Sequence, residues 1–132
     1  MHKVTLLFVK AENRPGVMGR LCQELAKHQI NIEAIGAFGG TARLRVSDSH
    51  RAVQVLRAAG YQVEAREVLA AELDNQPGAL AKLGLALGEA GLNIEYCYGT
   101  MNPGQTRGTV ILEVSDIDRA LAVGGADNSS LA

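Results

Sequence analysis

The chain has 132 residues, of which 47% are hydrophobic, enough for one ordinary domain or two very small ones. Thirteen basic and 14 acidic side chains give a net charge of −1, which provides no field to attract nucleic acid or an anionic membrane surface. No signal-peptide pattern is present, and no apolar run approaches the roughly 18 residues of a membrane span. These properties predict a soluble cytoplasmic protein that has no nucleic-acid or membrane partner.

The first unit of the sequence has the pattern βαββαβ. A strand of apolar residues leads to a helix whose buried stripe recurs every three or four positions. Two further strands meet at a Gly-Gly turn, and an aspartate caps a second helix that stops at a glycine. The predicted elements are a strand over 4–9, a helix after Pro15, strands over 30–37 and 43–46 joined at Gly39-Gly40, a helix from Asp48 to Gly60, and a short strand over 61–65.

One short motif then occurs a second time. Glu12–Met18 reads ENRPGVM, and 62 positions later Asp74–Leu80 reads DNQPGAL. At the same spacing Asn31-Ile32-Glu33 recurs as Asn93-Ile94-Glu95. Such a register indicates a duplication, which predicts two domains over 1–65 and 66–132.

The second unit repeats the pattern with two differences. A longer hairpin is predicted around Asn102-Pro103-Gly104, because the offset between matching residues grows from 62 to 68 beyond Ile94. The predicted elements are strands over 68–73, 93–99 and 108–114 and helices from Pro77 to Ala90 and from near Asp116. Residues 125–132 read as an irregular tail, so the last strand is missing and one edge of the first strand is left unpaired.

The predicted fold class is therefore α+β. Two ferredoxin-like βαββαβ units lie side by side, each with an antiparallel sheet and helices on one face.

The Pro-Gly motif favours a binding site as well as a helix start. The residue before proline is Arg14 in one copy and Gln76 in the other, and neither is a preferred helix cap. Glycine at the next position removes the Cβ that would keep another molecule from the first helical N–H groups. A helix N-terminus with available donors suits a carboxylate, and the neighbouring Asn13 or Asn75 adds an amide.

The paired acidic-x-x-Pro-Gly loops and the paired Asn-Ile in this topology resemble tandem ACT domains. The resemblance implies a regulatory or sensor protein that binds an amino acid or a related small carboxylate, acts allosterically, forms a homodimer and regulates an enzyme. It places ligands between the loop of one unit and strand two of the other. One implied site joins Asn13, Pro15, Gly16, Val17 and Met18 with Asn93, and the other joins Asn75, Pro77, Gly78, Ala79 and Leu80 with Asn31. The alternative is a ligand-free protein–protein interaction module.

Several features of the second unit bear on these alternatives. The segment Cys97–Met101 is interpreted either as the wall of a ligand pocket or as a surface loop. Leu85, on a face that would otherwise meet water, indicates an interface. Gly84 and Gly88, four apart in a helix, favour close approach of another backbone over simple tolerance.

No feature of the sequence indicates catalysis. His2, His28 and His50 lack partners at metal-ligand spacing, and the two cysteines are far apart. No nucleophile with a base and no phosphate-binding glycine loop is found. The sequence therefore predicts a protein that is not an enzyme and has neither metal nor cofactor.

Overall fold

The computed structural model describes residues 1–123, which form two compact units. The N-terminal unit consists of Thr5–Glu67, and the C-terminal unit consists of Met1–Val4 together with the chain from Val68 onward. The sequence divides the chain once, between residues 65 and 66, whereas in the structure the first four residues join the C-terminal unit. The predicted irregular tail, residues 125–132, lies outside the described residues.

The described chain contains ten helices and strands. In the N-terminal half they are β1 (His2–Lys10), α1 (Val17–Lys27), β2 (Ile32–Phe38), β3 (Thr41–Val46) and α2 (Ser49–Ala58). In the C-terminal half they are β4 (Val63–Asp74), α3 (Ala79–Glu89), β5 (Ile94–Gly99), β6 (Arg107–Val114) and α4 (Ile117–Ala122).

The N-terminal unit has the strand order β2-β3-β1-β4. Leu44 of β3 is opposite Leu7 of β1 and Ile35 of β2 in antiparallel register. Alternate strand residues face both helices, where a buried cluster forms with Leu21 and Leu56. The predicted cap is present, since the Asp48 carboxylate accepts from the backbone N–H of Arg51 at 3.1 Å. The predicted ferredoxin-like arrangement is confirmed for this unit.

The C-terminal unit has the strand order β1-β4-β6-β5, in which β1 is represented by its first residues. Leu69 of β4 is opposite Leu112 of β6, and both side chains are fully buried. They pack with Leu83 and Leu87 of α3, so helices again cover one face of the sheet. Asp116 caps α4 as Asp48 caps α2, because its carboxylate accepts from the N–H of Arg119 at 3.1 Å.

The strand β4 is continuous from Val63 to Asp74. The sequence predicts two separate strands here, one closing the first unit and one opening the second. They are one 12-residue strand, whose first part belongs to the N-terminal unit and whose remainder belongs to the C-terminal unit. Residues 64–67 are exposed, which is why local periodicity reads as a break between two strands.

The predicted unpaired edge of the second unit is not present in the structure. Residues Met1–Val4 belong to the C-terminal unit, and β1 is the neighbour of β4 in the sheet. Met1 packs against the core of this unit, and Lys3 forms an ion pair of 3.4 Å with Asp118 of α4. The start of the chain therefore occupies the position of the fourth strand.

None of the helices described is long and apolar enough to cross a membrane. Within residues 1–123, no group of three or more His, Cys, Asp or Glu side chains is placed to hold a metal ion. Cys22 and Cys97 are free thiols.

Candidate functional site

Both Pro-Gly loops end in a glycine that precedes the helix in a left-handed backbone conformation. Gly16 has a φ of 83° before α1, and Gly78 has a φ of 91° before α3. Side chains other than glycine rarely adopt this conformation, so the backbone itself requires glycine at both positions. The helices therefore begin after the glycine, at Val17 and Ala79, and not at proline.

No side chain caps α1 or α3 in the part of the chain described. The first helical N–H of α1, from Val17, donates to the carbonyl oxygen of Arg14 at 3.3 Å. The first N–H of α3, from Ala79, donates in the same way to Gln76 at 3.3 Å. The helix starts therefore lack side-chain caps, as the sequence predicts, but the first N–H of each helix is already used by a backbone carbonyl oxygen, which the sequence does not predict.

In the C-terminal unit the loop and the start of α3 border a cavity of about 430 Å³. The other wall is the end of β5 with the beginning of the β5–β6 hairpin. The cavity is therefore bounded by a helix start on one side and by a sheet edge on the other. Its lining residues are Asp74, Gln76, Gly78, Ala79, Leu80, Ala81, Cys97, Tyr98, Gly99, Thr100, Met101 and Val110.

The β5–β6 hairpin is fastened to the loop that precedes α3. The side-chain amide nitrogen of Asn75 donates to the carbonyl oxygens of Asn102 at 2.9 Å and Gln105 at 2.8 Å. The backbone N–H of Asn75 donates to the carbonyl oxygen of Thr106 at 2.9 Å. The amide donors of Asn75 thus hold the hairpin, whereas the sequence interpretation offered them to a ligand.

Asp74 is joined to the other end of the same hairpin. Its Oδ1 lies 2.8 Å from Nη1 of Arg107, and Nη2 of Arg107 donates to the carbonyl oxygen of Glu72 at 2.9 Å. The side chain of Met101, at the start of the hairpin loop, lies against Gly108 of β6. A Cβ added at Gly108 would lie 2.5 Å from the Met101 sulfur atom. These contacts fix the hairpin wall of the cavity in position.

In the N-terminal unit the equivalent cavity is smaller, about 210 Å³. Here β2 and β3 are joined directly at Gly39 and Gly40, whose φ values of 52° and 92° suit a tight hairpin turn. The backbone N–H of Ala11 donates to the carbonyl oxygen of Gly40 at 2.9 Å. The lining residues are Ala11, Glu12, Asn13, Arg14, Met18, Ala37, Phe38, Gly39, Gly40 and Thr41. The short turn therefore leaves less space than the longer hairpin.

Asn31 and Asn93 lie at the other end of their own sheets. The backbone of Asn31 exchanges two hydrogen bonds with Ser47, one to the hydroxyl oxygen at 2.9 Å and one from the serine N–H at 2.9 Å. Asn93 makes the same pair of bonds with Ser115, at 3.1 and 3.0 Å. Within each unit, the Asn is thus separated from the Pro-Gly loop by the length of strand two. The predicted sites combine a loop and an Asn from different units, and this pairing stays a prediction.

The remaining predicted residues divide into lining and core positions. Asn13 and Met18 line the N-terminal cavity, and Gly78, Ala79 and Leu80 line the C-terminal one. Val17 is buried in the core of its unit, and Pro15, Gly16 and Pro77 are exposed in the loops.

The structure adds cavity residues that the sequence interpretation did not single out for binding. Val110 of β6 is opposite Gly99 of β5 and forms part of the apolar wall. The alternation of Val110 with Leu112 in the sequence indicates only a core position. The sequence does not indicate that Val110 also lines a cavity. Cys97, Tyr98 and Met101 are in the segment for which a pocket wall was one of two interpretations, and they do line the cavity.

The outer face of α3 is apolar and exposed. Leu85 is 68% exposed and Leu80 is 48% exposed. An added Cβ at Gly84 or Gly88 meets no atom within 4 Å in residues 1–123, so none of these residues makes the close backbone approach predicted there.

The sequence matches the family model for an ACT domain pair over residues 2–128. A search of curated proteins gives no match. Among solved structures, a protein of Bacteroides thetaiotaomicron is 30% identical, with a TM-score of 0.86, over 92% of this chain and 85% of that one.

Two further solved structures share the fold at lower identity. The ligand-free regulatory subunit of aspartate kinase from Thermus thermophilus is 20% identical, with a TM-score of 0.67, over 98% of this chain and 93% of that one. The regulatory subunit from Thermus flavus is 19% identical, with a TM-score of 0.66, over 94% and 92% of the two chains. With the family model covering nearly the whole sequence, the chain belongs to the ACT domain family, as an ACT domain pair.

Proposed function

We propose that this ACT domain pair is a non-catalytic regulatory or sensor protein that binds a small amino acid in the cavity of its C-terminal unit. The observation that carries the proposal is the cavity of about 430 Å³ between the start of α3, which no side chain caps in the described residues, and the fastened β5–β6 hairpin. This volume falls within the range of small-molecule sites, roughly 300–1,000 Å³. The smaller N-terminal cavity is a weaker candidate for the same ligand.

The chemistry of the lining fits the three parts of an amino acid. The start of α3 after Gly78 favours a carboxylate, because helical N–H groups and the helix dipole are directed toward it. Asp74, whose Oδ1 is bonded to Arg107, offers its second carboxylate oxygen to the ammonium. Leu80, Met101 and Val110 provide an apolar surface for the side chain. In this proposal binding stabilises the liganded form and so changes the activity of a separate enzyme, since a ligand acts only through differential affinity.

Titration calorimetry against the twenty amino acids tests the proposal. At least one should bind to the wild type, and Cys97→Trp should abolish that binding, because an indole at this exposed position fills the cavity. Ile35→Trp is the matched control, since Ile35 stands 62 residues earlier and faces Leu44 as Cys97 faces Leu112. No response to any amino acid, or equal binding by both variants, would contradict the proposal.

The contribution of Asn31 to the same site is tested separately. The sequence joins Asn31 with the loop that contains Asn75 and Gly78, and Asn93 with the loop that contains Asn13. Weaker binding by Asn31→Ala, with Asn93→Ala unchanged, would support the combined site for the C-terminal loop. Unchanged binding by Asn31→Ala would restrict the site to the C-terminal unit.

A ligand-free interaction module is the second candidate, and the exposed apolar face of α3 favours it. Leu85, at 68% exposure, would be covered by a second copy of the chain in a homodimer. Light scattering after size exclusion should then show a dimer that Leu85→Glu converts to a monomer. Gln23→Glu is the control, because Gln23 occupies the equivalent position of α1. A wild-type monomer at all concentrations would argue against this candidate.

A further inference from the structure

On the sheet face opposite its helices, the N-terminal unit presents an aromatic ring covered by two arginines. Phe8 alternates with the core residues Leu7 and Val9, so its ring lies on the other face of β1. The guanidinium carbon of Arg66 is 4.1 Å from the ring centroid, and that of Arg43 is 5.5 Å away. Arg43 also lies 5.2 Å from the ring centroid of Phe38. Cation–π contacts of this kind hold guanidinium groups in defined positions.

These arginines border a cavity of about 490 Å³ that lies wholly within the N-terminal unit. Three of its lining side chains are cationic and one is a carboxylate, so the lining is predominantly positive. Thr41 and Gln62 add polar groups. The full lining is Phe8, Lys10, Thr41, Arg43, Gln62, Val63, Glu64 and Arg66.

The carboxylate of the lining is bonded to one of these cations. Glu64 forms a 3.0 Å ion pair with Nη2 of Arg66. This bond and the charge of Arg66 hold the pKa of Glu64 below its ordinary value, so Glu64 stays ionised and balances one cation. Lys10 and Arg43 are the other two cations of the lining.

We propose that this face is a second binding site, for a small phosphorylated anion held by Lys10, Arg43 and Arg66 above Phe8. Planar guanidinium groups match the geometry of phosphate oxygens and bind them through paired hydrogen bonds. The cavity volume suits a small molecule, and the net charge of −1 for the whole chain gives no field for a long polyanion such as nucleic acid. This site uses none of the residues of the proposed amino-acid cavity.

Titration calorimetry with inorganic pyrophosphate, ATP and adenosine tests the site on the full chain. Pyrophosphate and ATP should bind and adenosine should not, because the phosphates supply the recognised charge. Arg43→Gln should weaken binding roughly tenfold or more, as expected for the loss of a charge-assisted hydrogen bond. Arg45→Gln is the matched control, since Arg45 lies two residues along the same strand and pairs with Glu33 at 3.6 Å outside the cavity. It should change the affinity by less than about twofold.

Amide chemical shifts locate the site independently of any variant. Addition of pyrophosphate to the wild type should move the resonances of Lys10, Arg43 and Glu64 and leave those around Gly78 unchanged. Absence of pyrophosphate binding, equal affinity of the wild type and Arg43→Gln, or shifts confined to the C-terminal unit would each overturn the proposal. Circular dichroism of each variant confirms that it is folded before its affinity is compared.

Discussion

The side-chain amide of Asn75 donates a 2.8 Å hydrogen bond to the carbonyl oxygen of Gln105, thirty residues further along the chain. With the second bond, to Asn102, it ties the loop that starts α3 to the hairpin that walls the C-terminal cavity. The sequence shows this Asn in both repeats. The second repeat has the longer hairpin, and the side chain of Asn75 is bonded to it.

Asn75→Ala should therefore destabilise the protein, by about 1 to 2 kcal/mol for two lost hydrogen bonds. It should also weaken amino-acid binding, because the hairpin wall is no longer held in place. Urea denaturation and calorimetry measure the two effects. Asn13→Ala is the control, and equal effects of the two substitutions would contradict a specific role for Asn75.

Substitution by alanine should have opposite effects on stability at two glycines, Gly78 just before α3 and Gly84 within that helix. Gly78→Ala should lower the free energy of unfolding by about 1 to 2 kcal/mol, since an L side chain is strained at a φ of 91°. Gly84→Ala should raise it by about 1 kcal/mol, because Gly84 is helical and an added Cβ meets open space. Urea denaturation of both variants measures this, and shifts of the same sign would refute the explanation.

Removal of residues 1–4 should expose the edge of β4 in the C-terminal unit. Amide hydrogen exchange of Leu69 and Ala70 should become faster, because the neighbouring strand is lost. Lys3→Ala is the control, since its ion pair with Asp118 is exposed and contributes little. Unchanged protection of β4 after the deletion would show that the first residues do not support this unit.

The ion pair of Glu64 gives a prediction about pH. The pKa of Glu64 is lowered by Arg66, so its contribution to stability is present above the unfolded pKa and is lost as the pH falls through the folded value. Arg66→Gln should raise this pKa toward that of an ordinary glutamate, as followed by carbon NMR of the carboxyl group. Arg45→Gln should leave it unchanged, and a titration unaffected by Arg66→Gln would contradict the assignment.

Local patterns in the sequence predict most elements of both units. The duplicated Pro-Gly loops, the capping aspartates Asp48 and Asp116, and the turn at Gly39-Gly40 each follow from backbone chemistry that acts over a few residues. The resemblance to tandem ACT domains, based on those loops and the Asn-Ile pairs, is confirmed by the family model.

The features that were not predicted depend on pairing between distant segments. Met1–Val4 lie beside β4 and complete a unit whose other residues begin more than sixty positions later, at Val68. The commitment of Asn75 to the hairpin depends on where residues 102–105 fold back. The left-handed φ of Gly16 and Gly78 explains the glycines without a ligand, so the motif alone is weaker evidence for binding than the cavity beside it.

The strands β1 and β4 each contribute residues to both compact units, which has a consequence for cutting this protein into fragments. Severing the polypeptide where its repeat begins does not release two complete modules, because each fragment keeps a strand segment that belongs to the other unit. In a fragment that starts at residue 66, the backbone donors and acceptors along one edge of β4 would be unpaired. Such an edge favours strand exchange with a neighbouring molecule. Mixing the two severed pieces should then restore native structure by complementation.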